Sequence, residues 1–368
     1  MKHFRILLRH CAPWVLGFAI VSLSACGLLE RGPTPEQVRA EIAKRIPRGV
    51  ADREGWARDI QAAFAAQELE PATAHLCAVI AVVGQESGFQ ADPPVPNLPK
   101  IARTAIYQRA AAVHVPRFVV DAALRMRAPD GRTYAERLDA LRTERQLSAL
   151  FEEMTARMPL GSGRLLARLN PVHTAGPMQV GIAFAQAHAR GYPYPLDGSS
   201  IRHEVFTRRG GLYFGTKHLL GYPVAYPKLL YRFADYNAGW YASRNAAFQH
   251  AVSVASGRSL ARDGDLLRPG ASMDAPGATE DALRVLGPAL GMDDAAIRRA
   301  LRQGESPRFD QSPLYRQVYA LADRKAGKPL PRALLPEIDL HSPKISRKLS
   351  TAWFAQRVDA RWKQCMAR

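Results

Sequence analysis

From Leu76 to Val83 every residue is apolar, and Gly84-Gln85-Glu86-Ser87-Gly88 follows at once. A helix apolar all round has to be buried on every side, and this run is too short to cross a bilayer. Gly88 suits a helix end. The segment therefore predicts a buried helix with Glu86 in its last turn. The negative end of the helix dipole and partial burial both disfavour a charged carboxylate there. A general acid working near neutral pH needs that reluctance. A glutamate held by a nearby arginine is the alternative reading.

Two further blocks stand far along the chain, Ala175-Gly176-Pro177-Met178-Gln179 and Ala234-Asp235-Tyr236-Asn237-Ala238-Gly239. The first reads as a loop leading into a helix from Val180. The second follows Thr207-Arg208-Arg209-Gly210-Gly211-Leu212-Tyr213-Phe214-Gly215 and a helix from about Pro227. With Glu86-Ser87, the blocks resemble the Glu-Ser, Gly-Leu-Met-Gln and Ala-Tyr-Asn-Ala-Gly motifs of the lysozyme-like lytic transglycosylases. That resemblance covers roughly residues 70–250. It implies an all-α, lysozyme-like fold with Glu86 as the single catalytic acid and base. It also implies that Ser87, Met178, Gln179, Tyr236 and Asn237 bind substrate. Glu86 would protonate the oxygen between N-acetylmuramic acid and N-acetylglucosamine. It would then take the proton of the muramoyl 6-hydroxyl, which closes to a 1,6-anhydro end without water.

Pro177 stands where that family has leucine, and Asp235 where it commonly has alanine. Ordinary glycosidases need two carboxyl groups flanking the bond. Asp92 or Asp235 opposite Glu86 would make the chain a hydrolytic muramidase instead. A long helical insertion, about residues 97–170, also separates the first two blocks. A non-catalytic envelope protein that binds glycan, anionic lipid or a protein partner is therefore the rival expectation.

The first residues read as an export signal: Lys2, Arg5 and Arg9, then an apolar stretch from Ala12 to about Leu23. Leu23-Ser24-Ala25-Cys26 resembles a bacterial lipoprotein box. It implies removal of residues 1–25, acylation of Cys26, a tether over 26–34, and, with Gly27 next, the outer membrane. A plain secretory signal is the alternative. Cys77 and Cys365 are the thiols left over. In an oxidising periplasm they are a candidate disulfide, with Cys77 as an ordinary core residue the other reading.

The formal charge is +18 for the whole chain and +15 without the leader. Over half of that excess lies in residues 324–368, with eleven Lys and Arg against three Asp and Glu. Such a field attracts polyanions, or simply keeps the chain soluble. At an envelope address the candidates are lipopolysaccharide, acidic lipids and peptidoglycan, not nucleic acid.

Almost every segment reads as helix. Capping boxes stand at Thr34-Pro35-Glu36-Gln37, Thr133–Glu136 and Thr143–Gln146. A lysozyme-like domain is expected over 35–262 and a basic helical extension over 263–368, joined by a Gly, Pro and Asp-rich loop from Asp263 to Thr279. A tail helix near 351–365 carries Phe354, Val358, Trp362 and Cys365 on one face, which suits docking on the core or, alternatively, a membrane surface. No metal site or cofactor is expected, because His203-Glu204 lacks a second histidine four residues on. Over residues 35–368, with Arg53–Trp56, the Glu86 region, Gly176–Gln179, Tyr231–Phe248 and Thr351–Phe354, the chain resembles the YaiW-like bacterial lipoproteins, a family of unassigned function.

Overall fold

The computed structural model describes residues 32–157, 170–340 and 349–368. The leader, Cys26 and most of the tether lie outside the described residues. The described chain is mainly helical, with two small two-stranded antiparallel sheets.

Local sequence sets the helix starts. Thr34 accepts from the Gln37 N–H while the Gln37 side chain accepts from the Thr34 N–H, with Pro35 opening helix α1, Pro35–Arg45. The same reciprocal cap stands at Thr133/Glu136 and Thr143/Gln146. These hold two helices of the insertion, Tyr134–Asp139 and Glu144–Ala156.

The first core surrounds the expected buried helix, Thr73–Glu86, whose residues from Leu76 to Val83 are all buried. Arg53–Ala66, Arg208–Leu220, Leu229–Ala238 and the C-terminal helix Thr351–Met366 contribute to the same core. The tail helix docks on it with Phe354, Val358 and Cys365 inward. The Trp362 indole N–H donates to Ala74 O at 2.9 Å, and Arg361 Nε donates to Gln85 Oε1 at 3.1 Å. A disulfide joins Cys77 to Cys365, with Cα atoms 5.5 Å apart and the two cysteines 288 positions apart in sequence.

A second core holds the insertion against the Thr174–Gly181 hairpin and one face of Arg208–Leu220. The third core differs from the expected division at residue 262. Helix Ala242–Ser256 belongs with Ala278–Leu290, Asp294–Leu301 and Pro313–Ala326, around Phe248, Phe309 and Tyr315. The tail helix, part of that extension, docks on the first core through its apolar stripe, as expected. The Asp263–Thr279 segment is a loop up to Gly277, pinned where the Gln249 amide bonds Asp263 Oδ1 at 2.7 Å and the Gly264 N–H at 2.8 Å.

Candidate active site

Glu86 is the last residue of its helix and is half-buried. Ser87 closes the helix. Its N–H and its hydroxyl both donate to Val83 O, at 3.1 and 3.2 Å, and the hydroxyl accepts from the Gln90 N–H. Buried and engaged there, Ser87 caps the acid's helix rather than presenting its hydroxyl to a ligand. Gly88 and Phe89 follow at φ +58° and +65°. A phenylalanine at positive φ is strained by on the order of 1–3 kcal/mol. The Phe89 ring sets its edge against Trp56, centroids 5.4 Å apart. This turn carries the chain off and leaves Glu86 at the wall of a cleft of about 840 Å³.

Gln179 shares that cleft with Glu86. The other wall comes from the insertion. Helix Leu98–Ala112 supplies Lys100, Thr104 and Gln108, and helix Glu144–Ala156 supplies its first residue, Glu144. Asp92 ties the insertion down. It accepts from the Thr143 hydroxyl at 3.0 Å and pairs with Arg145 at 2.9 Å, while the Val95 N–H donates to Arg142 O. These bonds make Asp92 a tether, not an acid facing Glu86.

The second block is the tip of a hairpin, and the helix expected to follow it begins at Ile182 rather than Val180, over Ile182–Ala187. Thr174–Ala175 pairs antiparallel with Val180–Gly181, and the turn uses left-handed backbone at Gly176 and Gln179. A Cβ on Gly176 would stand 2.1 Å from Val205 O. Glycines of helix Arg208–Leu220 give the tip its seat: a Cβ on Gly211 would stand 2.4 Å from Pro177 Cδ, and one on Gly215 2.4 Å from Met178 Sδ. Met178 is fully buried in the core. Its backbone carbonyl, rather than its side chain, serves the site. Gln179 Nε2 donates to Gly176 O at 3.2 Å, and its Oε1 accepts from the Thr174 hydroxyl at 3.3 Å.

Tyr236 is buried and its hydroxyl donates to Met178 O at 2.6 Å. Burial, and then the Glu86 carboxylate, push its phenol well above the ordinary tyrosine range. It is a neutral hydrogen-bond donor at any working pH. Behind it, His218 Nε2 donates to Tyr236 O at 3.1 Å and the Trp240 indole to His218 O at 2.7 Å. Burial pushes His218 down to about 4, so the imidazole is neutral.

Asn237 and Asp235 are employed elsewhere. Asn237 is exposed, and its Oδ1 accepts from the Thr351 hydroxyl at 2.8 Å, fixing the start of the tail helix. Asp235 is buried, with desolvation pushing its carboxyl up. It accepts from the hydroxyls of Tyr222 and Tyr226 and the N–H groups of Tyr241 and Ser243, between 2.7 and 3.1 Å. It is a structural hub, not a second acid beside Glu86.

The structure thus brings Glu86, Gln179 and the Tyr236–Met178 pair together, and adds Glu144 and Lys100, which sequence reasoning did not single out. The one sequence signal for Glu144 was its place at the first position of a capped helix. Among the described residues no group of three or more His, Cys, Asp or Glu side chains is arranged to hold a metal ion. No described helix is long and apolar enough to cross a membrane.

A family model described as "Protein of unknown function (DUF1615)" matches residues 49–368. Over 353 residues the chain is 51% identical to "Uncharacterized protein YaiW" of Escherichia coli (strain K12), across 95% of this chain and 96% of that protein. No solved structure matches. Neither description names an activity, and the lysozyme-like likeness rests on the residues alone.

Proposed function

The chain belongs to the DUF1615 family, and we propose that it is a lipid-anchored envelope protein that cleaves peptidoglycan glycan strands as a lytic transglycosylase. One observation carries this reading. A glutamate ends an all-apolar buried helix and opens onto an 840 Å³ cleft that it shares with Gln179. That volume suits a ligand of a few sugar rings. A protein that only binds glycan has no need of a carboxyl group in so unfavourable a position.

Glu86 gives its proton to the glycosidic oxygen and, as a carboxylate, accepts the proton of the muramoyl 6-hydroxyl. The buried Tyr236 phenol lies within the field of that carboxylate and holds the hairpin that presents Gln179. The Gln179 amide has both a donor and an acceptor for an acetamido group. Acyl chains on Cys26 would anchor the protein to the outer membrane, and the basic residues of 324–368 would favour acidic lipid or lipopolysaccharide.

A second reading has a specific observation behind it. Glu144 is another carboxyl group in the same cleft. Were it to activate water across the scissile bond, the reaction would be hydrolysis. Mass spectrometry of muropeptides released from purified sacculi separates the readings. Anhydro ends support the transglycosylase, reducing ends the muramidase, and no product beside an active control enzyme supports a binding protein.

A further inference from the structure

The insertion carries a second concave site, on the side of helix Leu98–Ala112 away from the cleft. It is an apolar pocket of about 250 Å³, walled by Ile106, Val115, Val119, Leu124, Phe151 and Met154. The same segment exposes large apolar side chains to solvent: Phe118 is 72% exposed, and Val113, Val119 and Met126 are exposed as well. Exposed large apolar side chains gathered in so short a segment are of the kind that mark a binding site rather than ordinary exterior.

Charge identifies the occupant. Residues 109–127 hold four arginines and one aspartate. The aspartate, Asp121, already accepts the Tyr107 hydroxyl. Arg117 and Arg125 stand exposed at the two ends of helix Arg117–Arg125, flanking Phe118 and Val119, and neither makes an ion pair among the described residues. Arg109 reaches the pocket wall itself. An apolar slot walled in part by helix Arg117–Arg125, which also carries an exposed phenylalanine and two exposed arginines, matches an acyl chain attached to an anionic headgroup.

We propose that this face of the insertion docks on an anionic lipid bilayer, with Phe118 and Val119 among the acyl chains and Arg117 and Arg125 on the lipid phosphates. Helix Leu98–Ala112 lies between the two sites, lining the glycan cleft with Lys100 and Thr104 and the lipid site with Ile106 and Ala110. Docking would therefore set the orientation of the cleft relative to the membrane. The site needs no activity at Glu86, so it stands whether or not the chain cleaves glycan.

The test uses the full lipidated protein carrying Phe118→Trp, reconstituted into vesicles with brominated acyl chains of either phosphatidylglycerol or phosphatidylcholine. The anchor holds the protein on both. The expected result is at least a two-fold quenching of the added tryptophan emission on phosphatidylglycerol. Quenching should be weak on phosphatidylcholine and weak again when Arg117→Glu and Arg125→Glu are added. No quenching on either lipid overturns the proposal, and so does equal quenching on both. A concentration-dependent dimer in detergent that Phe118→Asp abolishes would give the face to a second copy instead.

Discussion

The hydroxyl of Tyr236 donates to the backbone carbonyl of Met178 across 2.6 Å, joining two sequence blocks whose bonded residues lie 58 positions apart. The same phenol feels the Glu86 carboxylate, so one buried side chain connects all three blocks. Tyr236→Phe removes that donor and leaves the Met178 carbonyl buried without its partner. Such a loss costs about 1–3 kcal/mol. Urea denaturation should show it, together with reduced turnover of sacculi, because the hairpin that positions Gln179 is then held less firmly.

The seat of that hairpin is as sensitive. Gly211→Ala would place a methyl carbon 2.4 Å from Pro177 Cδ and 2.9 Å from Val205 O. Neither a proline ring nor a backbone carbonyl yields easily. Overpacking of this kind costs about 1–3 kcal/mol. The variant is expected to melt several degrees lower and to lose glycan cleavage while keeping its helical circular dichroism.

Removing the Cys77–Cys365 bond releases the tail helix from the helix that ends in Glu86. A crosslink closing so long a loop is worth about 2–5 kcal/mol. Cys365→Ser should lower the melting temperature to that of the reduced wild-type protein, and the reductant should leave the variant unchanged.

His218 makes stability depend on pH. Its imidazole is depressed to about 4 in the folded chain, from an ordinary 6.5, by burial. The stabilising contribution of the neutral ring is therefore full above 6.5. It is lost as pH falls towards 4, because the unfolded chain binds the proton first. The loss approaches roughly 3 kcal/mol. Denaturation midpoints at pH 7.5, 5.5 and 4.5 should fall accordingly, and His218→Gln should flatten that part of the slope.

Local signals carried far in this chain because they are chemically local. Capping boxes at Thr34, Thr133 and Thr143 mark helix starts in sequence and in structure alike. The Phe354–Val358–Cys365 stripe is a buried face, and Glu86 does end its helix. What was not legible depends on long-range packing. Met178 turns inward because Gly215 leaves it space, a fact settled on another helix. Asn237 is claimed by Thr351, more than a hundred residues later. Glu144 reaches the cleft only because Asp92 draws the insertion back through Thr143 and Arg145.

The most direct test compares wild type with Glu86→Gln on purified sacculi, with released muropeptides read by mass spectrometry. The proposed role has the wild type release 1,6-anhydro ends, and the variant lose 10²-fold or more of that rate with its melting temperature little changed. Anhydro product at an undiminished rate from Glu86→Gln would contradict it.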